Sequence, residues 1–249
     1  MKQILPTTMF LLLVLGPARP AIAQSRERPE RIWFGVSGGV QPAVNSFSDA
    51  FEVPLNTESQ TVSIAYPVTG GAMVAASAGC RVWRRLAIGV GVTRSHRDEP
   101  ATIDARLPHP FFDNQFRAVQ GTTTAARNEL GAHLLVGWMM PITDRLRLLV
   151  TAGPSLLSVH QSLVTAIDVT ETYPFDTATF KSATTKEAAA SAAGFNAGAD
   201  VFWMFSRHAG AGGMIQVTRA RVHVPAEGAR TIAVDAGGVQ AGGGLRFVF

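Results

Sequence analysis

The chain has one cysteine, Cys80, in 249 residues. An internal disulfide is therefore excluded, and a lone thiol meets no zinc-ligand spacing, so neither covalent staples nor a structural metal hold the fold. The histidines do not pair at H-x-H or H-x-x-x-H spacing, so no metal and no other cofactor is expected. No segment beyond the N-terminus contains eighteen uninterrupted apolar residues, which excludes membrane-spanning helices but leaves spanning strands open. Charged residues are sparse, at 16%. Lys and Arg never cluster with interleaved aromatics, so the formal charge of +4 does not point to nucleic acid.

What is present begins with an export signal. Lys2 precedes an apolar run over residues 9–15, and Ala21-Ile22-Ala23 has the small-x-small form that signal peptidase cuts. Residues 1–23 read as a signal peptide, and residues 24–31 as a charged lead-in containing Pro29. Residues 32–249 then form one domain.

That domain is organised by its last stretch. In residues 239–249, Val239, Ala241, Gly243, Leu245, Phe247 and Phe249 share one strand face, while Gln240, Gly242, Gly244, Arg246 and Val248 share the other. The alternation runs to the terminal aromatic, as expected of a strand with lipid on one side and a polar lumen on the other. Similar alternation marks segments 32–41, 71–82, 86–95, 128–140, 145–157, 194–205 and 210–222, making eight strands with 239–249. The connections follow a rhythm. Residues 42–70, 96–127 and 158–193 are long polar loops, whereas 83–85, 141–144 and 206–209 are tight turns. Within the loops, residues 61–66 alternate and could prolong a hairpin, 107–112 reads as a packed feature around two prolines, and 186–193 has the composition of two helical turns.

These observations predict an all-β fold: an eight-stranded, antiparallel, up-and-down transmembrane β-barrel with short periplasmic turns and long extracellular loops. Trp33, Trp83, Trp138 and Trp203 fall at the periplasmic strand ends and are assigned to one aromatic girdle. A soluble lipocalin-type barrel would carry its large apolar residues inside. Here one face of the strands is rich in Val, Leu, Ala and Phe, and the other carries Glu129, His133, Arg147, Asp200, Gln216, Gln240 and Arg246 among glycines. Inward parity also groups a lumen charge cluster of Arg81, Arg147, Asp200 and Arg246. Asp200 and Arg147, on neighbouring strands, are the expected ion pair across the lumen.

With its signal segment, eight alternating stretches, the Trp83-Arg84-Arg85 turn and a C-terminal Gly244-Leu245-Arg246-Phe247-Val248-Phe249, the chain resembles the small OmpA-like and OmpW-like outer-membrane β-barrel proteins of Gram-negative bacteria. The resemblance implies residence in the outer membrane, contact with its lipid and lipopolysaccharide, and reading of Leu245, Phe247 and Phe249 by the barrel-assembly machinery as the insertion signal. It implies a structural, narrow-pore or surface-interaction role, with an unidentified ligand for the outer loops, rather than catalysis. The alternative is a barrel enzyme acting on lipid or lipopolysaccharide, since lipid A deacylases of similar architecture use a His–Ser pair. His133 and Glu129 do not supply one. They lie four residues apart on one strand, about 13 Å, beyond a direct hydrogen bond.

Overall fold

A computed structural model describes residues 31–42, 46–226 and 230–249. The expected signal peptide (1–23) and all of the expected lead-in except Arg31 lie outside the described residues. The described chain is antiparallel sheet: β1 (Ile32–Gln41), β2 (Phe47–Leu55), β3 (Glu58–Tyr66), β4 (Gly71–Trp83), β5 (Leu86–Pro108), β6 (Phe116–Pro141), β7 (Leu146–Glu171), β8 (Ala178–Met204), β9 (Ala209–Pro225) and β10 (Thr231–Val248). Eight of these close a ring in the order β1-β4-β5-β6-β7-β8-β9-β10, with β10 returning to β1 through Trp33↔Val248 to Val40↔Ala241. The eight-stranded up-and-down barrel is thus present. The β2–β3 hairpin is additional and pairs through Thr61↔Arg106 with the far part of β5.

The stretches expected as long loops are mostly strand. β5 and β6 pair from Leu86↔Trp138 up to Pro108↔Phe116, and β7 and β8 from Leu146↔Trp203 up to Glu171↔Ala178. Residues 186–193, expected to be helical, pair as strand with Leu163 through Leu156. The alanines there, at 188–190 and 192–193, have good helix propensity, but the continuous ladder with β7 across the hairpin overrides it. In the β5–β6 and β7–β8 hairpins only residues 109–115 and 172–177 remain as turns at the tips. Asn56 and Thr57, with φ of 51° and 66°, make the left-handed two-residue turn of the β2–β3 hairpin.

Polarity reverses along the barrel axis. Near the short turns the outward side chains are apolar, as on β6, where Leu130, Leu134, Val136 and Trp138 are all exposed. The run from Leu130 to Trp138 matches the about 9–11 residues that a tilted strand needs to cross hydrocarbon. Beyond it the outward positions turn polar, with Arg94, His96 and Asp98 on β5 and Gln120, Thr122 and Thr124 on β6. There the inward positions become apolar instead. Val62, Ile64, Ile103, Leu107, Val119, Val159, Val222 and Val234 bury together in one core. We call this distal part the crown. Each such Ile, Leu or Val contributes about 1.5–3 kcal/mol by burial, so the crown folds as a soluble protein does.

The crown is split into three wings. The β6–β7 ladder stops at Arg127↔Gln161, the β8–β9 ladder at Phe195↔Arg219 and the β10–β1 ladder at Ala241↔Val40. Side chains join the wings across these seams. The Tyr66 hydroxyl accepts from Val164 N–H at 2.9 Å, where a bulge in β7 frees that donor, and the Phe180 ring packs against Gly121, whose missing Cβ would lie 2.2 Å from it. Burial pushes the Tyr66 phenol up to about 12, so this contact persists across any ordinary pH.

Candidate functional site

The site is the barrel interior and the crown above it. Three layers fill the interior from the short-turn end. The first is apolar: Trp33, Leu135, Met139, Leu149, Phe202 and Met204 pack against one another with Val248. Trp33 therefore departs from the expected girdle. It is 2% exposed and points into the lumen, whereas Trp83, Trp138 and Trp203 are exposed on the outer surface. The reason is parity: Trp33 shares its strand face with Ser37 and Gln41, both buried, while Phe34 and Val36 face out.

In the second layer, Arg246 Nε donates to both carboxylate oxygens of Asp200, at 2.8 and 3.1 Å, while its Nη1 donates to the Val36 and Leu245 carbonyls. Its guanidinium also lies 5.7 Å from the Phe202 ring centroid. The lumen ion pair thus joins Asp200 to Arg246, two strands away, where Arg147 on the adjacent strand was the expected partner. Across the β7–β8 ladder Arg147 lies opposite Phe202, and Asp200 opposite Leu149. Arg81 and Arg147 are both half-buried near the short-turn end. Leu245 and Phe249 face outward and Phe247 is half-buried, as the alternation of the last strand requires.

Beside this pair lies a hydroxyl–imidazole chain that inspection of single strands misses. His133 Nδ1 meets Ser155 Oγ at 2.8 Å, His133 Nε2 meets Thr93 Oγ1 at 2.9 Å, and Asn196 Nδ2 donates to Ser155 Oγ at 2.9 Å. Thr93, His133 and Ser155 share the inward parity of three strands, but only the register Thr93↔Gly131 and His133↔Ser155 brings them level. Asn196 has a second task. Pro154 has no N–H for the β6–β7 ladder, and Asn196 Nδ2 reaches the Leu134, Gly153 and Pro154 carbonyls at 2.9–3.3 Å. The adjoining cavity is about 40 Å³, room for about three waters but not for a lipid.

The third layer sits where the outward surface turns polar. Glu129 accepts from Arg127 Nε at 2.7 Å, and from Gln41 Nε2 and the Gly237 N–H at 3.2 Å each, with Arg97 Nη2 at 3.5 Å. Gly237 has a φ of 89°, which lets its N–H turn to the carboxylate and strongly disfavours any other residue. Glu99 is fully buried next to this layer. Burial raises its pKa, against the lowering pull of Arg127 and Arg97. Gln240 Nε2 donates to Gln41 Oε1, a second contact from β10 beside that of Gly237.

Above these layers the crown is clasped at its tips. Arg117, 6% exposed, donates to the Phe175 and Pro108 carbonyls at 3.0 and 2.8 Å and pairs with Glu171 at 2.9 Å. Arg230 pairs with Asp49 at 2.8 Å and also bonds the Ala50 carbonyl, tying the β9–β10 loop to β2. Among the described residues no group of His, Cys, Asp and Glu is arranged to hold a metal ion.

No protein-family model matches the chain, and no curated protein matches it. Among solved structures it is similar to the outer membrane protein OprG from Pseudomonas aeruginosa, with a TM-score of 0.45 and 10% identity over 88% of this chain and 97% of that one. It is also similar to Neisserial surface protein A, with a TM-score of 0.43 and 11% identity over 88% and 97%. A third similarity is to Ail, the attachment invasion locus protein of Yersinia pestis, with a TM-score of 0.38 and 9% identity over 86% and 98%. The assignment of this chain as an eight-stranded barrel rests on its own closed hydrogen-bonded ring.

Proposed function

We propose that the chain is an exported outer-membrane protein of the small OmpA-like or OmpW-like kind, which crosses the bilayer as a sealed barrel and offers its crown as a contact surface. The observation that carries this reading is the axial reversal of polarity. Apolar side chains form the outer face along the short-turn part, where the interior is polar or plugged, whereas in the crown most apolar strand positions face in, Val53, Phe116 and the aromatic tips excepted. A barrel entirely in water has no use for the first pattern, and a channel has no use for an apolar core across its outer mouth. Of the structural, narrow-pore and surface-interaction roles, the three filled layers favour the structural and surface ones.

Outer-membrane lipid and lipopolysaccharide would contact the belt, the apolar outer face of the short-turn part that includes Leu130, Leu134, Val136 and Trp138. The barrel-assembly machinery would read Leu245, Phe247 and Phe249. Catalysis on lipid is the weaker reading, because the Ser155–His133 contact is internal and a hydroxyl, not a carboxylate, sits on the far imidazole nitrogen.

Two measurements test the proposal together. Refolded protein in planar bilayers should pass no steady current, and Asp200→Ala should not change this, because the apolar first layer on one side and the third layer with the apolar crown core on the other remain. In a Cys80→Ser background, a cysteine at Asn114 or Thr179 should react with a membrane-impermeant maleimide on intact cells, and one at Arg84 or His208 should not. A steady wild-type current, or inverted labelling, overturns the reading.

A further inference from the structure

Three hairpin tips of the crown surround a cleft of about 540 Å³, within the range of pockets that enclose small ligands. Its floor is apolar, with Leu55, Leu107, Ile167 and Val169. One wall is aromatic: the Phe111 and Phe175 rings meet edge to face with centroids 5.6 Å apart, and Tyr173 meets Phe175 in the same manner at 6.1 Å. Phe111 and Tyr173 are 67% and 84% exposed, an unusual investment of aromatic surface at the tip of a solvent-facing hairpin. Asp168 and Glu171 line the cleft as well.

The two carboxylates differ. Glu171 is neutralised by Arg117, and that guanidinium is already committed to the Phe175 and Pro108 carbonyls. Asp168 is exposed and takes a hydroxyl, Ser182 Oγ at 2.9 Å, as its partner rather than a cation. Its charge is therefore available at the mouth.

The cleft is also held open before any ligand arrives. Asn114 N–H donates to Glu58 at 2.9 Å and Asn56 Nδ2 to the Pro108 carbonyl at 3.4 Å, fixing the β2–β3 turn to the β5–β6 turn. Arg117 fixes the β7–β8 turn to the same place. A preformed cavity spares the ligand the cost of ordering it.

The geometry points to a binding site for a small amphipathic organic cation, with an aromatic or alkyl body and one ammonium or guanidinium group. The body lies on the Leu107–Val169 floor, the cation sits at the Phe111 and Phe175 rings, and Asp168 closes the charge. An aromatic face attracts a cation within about 6 Å of its centroid and disfavours an anion, and Asp168 adds to that sign. Phosphate-bearing headgroups and other anions are thereby excluded. The inference rests on the reading of the crown as the contact surface. Its test measures the cleft directly, whereas current and maleimide labelling test the barrel, so the two can fail separately.

The probe is phenethylammonium, titrated by calorimetry and saturation-transfer NMR into the full mature chain in nanodiscs. The comparison probes are neutral 2-phenylethanol and anionic 3-phenylpropionate. The cation should bind about fivefold or more tighter than the alcohol, and the anion weakest, as expected for one exposed charge pair reinforced by ring contacts. Asp168→Asn keeps the Ser182 bond and should bring cation and alcohol to parity. Phe111→Ala should weaken both, while Phe112→Ala, an exposed ring that does not line the cleft, should change neither. Heat-modifiable gel mobility confirms that each variant is folded, and the isosteric Asp168→Asn keeps the test decisive if Phe111→Ala is not. Equal affinity for cation and alcohol in the wild type overturns the site. So does preference for the anion, indifference to Asp168→Asn, or no saturable binding up to about 10 mM.

Discussion

Replacing Asp200 by Ala would remove the carboxylate that neutralises Arg246 deep in the barrel. The Asp200 side chain is 15% exposed and the Arg246 side chain 1%, so neither charge is well screened by solvent. Truncating one member of a buried pair costs about 3–5 kcal/mol, since the other charge is stranded. Arg246 keeps the Val36 and Leu245 carbonyls and the Phe202 ring, and the 40 Å³ cavity beside Asp200 admits water. The lower end, about 3 kcal/mol, is therefore expected. Arg246→Met removes the stranded cation, so the double variant should be more stable than Asp200→Ala alone, with a coupling of about 2 kcal/mol. Urea titration of protein folded in lipid vesicles, followed by tryptophan fluorescence, measures all three. If the two substitutions add within about 0.5 kcal/mol, the pair contributes nothing specific and the second layer is only filler.

Glu99→Gln removes an acid whose pKa burial has raised above the usual 4.5. The cost of ionising it is absent below that value and grows as pH rises through the raised one, so the variant's stability advantage should be small at acid pH and larger at neutral pH; parallel pH profiles for the two proteins would refute this. Arg117→Ala should unclasp the tips while leaving the belt intact. Hydrogen exchange of amides 172–177 should accelerate about 30-fold, corresponding to about 2 kcal/mol of local opening, with no change near Val136; uniform acceleration would mean that the crown and belt unfold as one unit. Deleting Phe249, which is 59% exposed, should leave export intact but reduce the folded fast-migrating band in heat-modifiable gels, and a wild-type yield would contradict its role as an insertion signal.

The sequence by itself determined the strand faces and the closing strand. A period of two is local, so Leu245 and Phe249 outward and Arg246 and Gln240 inward follow from one stretch of chain, and the ring follows from repeating it. The same local reasoning understated the crown. In segments such as 116–127 and 178–193 the apolar face is thin, being mostly Val, Ala, Thr and Gly with Phe180, because in the crown it faces a narrow interior rather than lipid. Alternation that weak resembles a polar loop until a partner strand is in place. Trp33 lies at the height of the girdle along the barrel, but its parity with Ser37 turns it into the lumen. What only the tertiary structure decided were the relations between strands. Register set Ser155 and Thr93 on either side of His133, brought Arg246 to Asp200 from two strands away, and gathered Leu107, Phe111, Val169 and Phe175 from separate hairpins around one cleft. A shift of one residue in any ladder would turn these inward groups outward, and nothing within a single strand encodes which residue of its neighbour it will face.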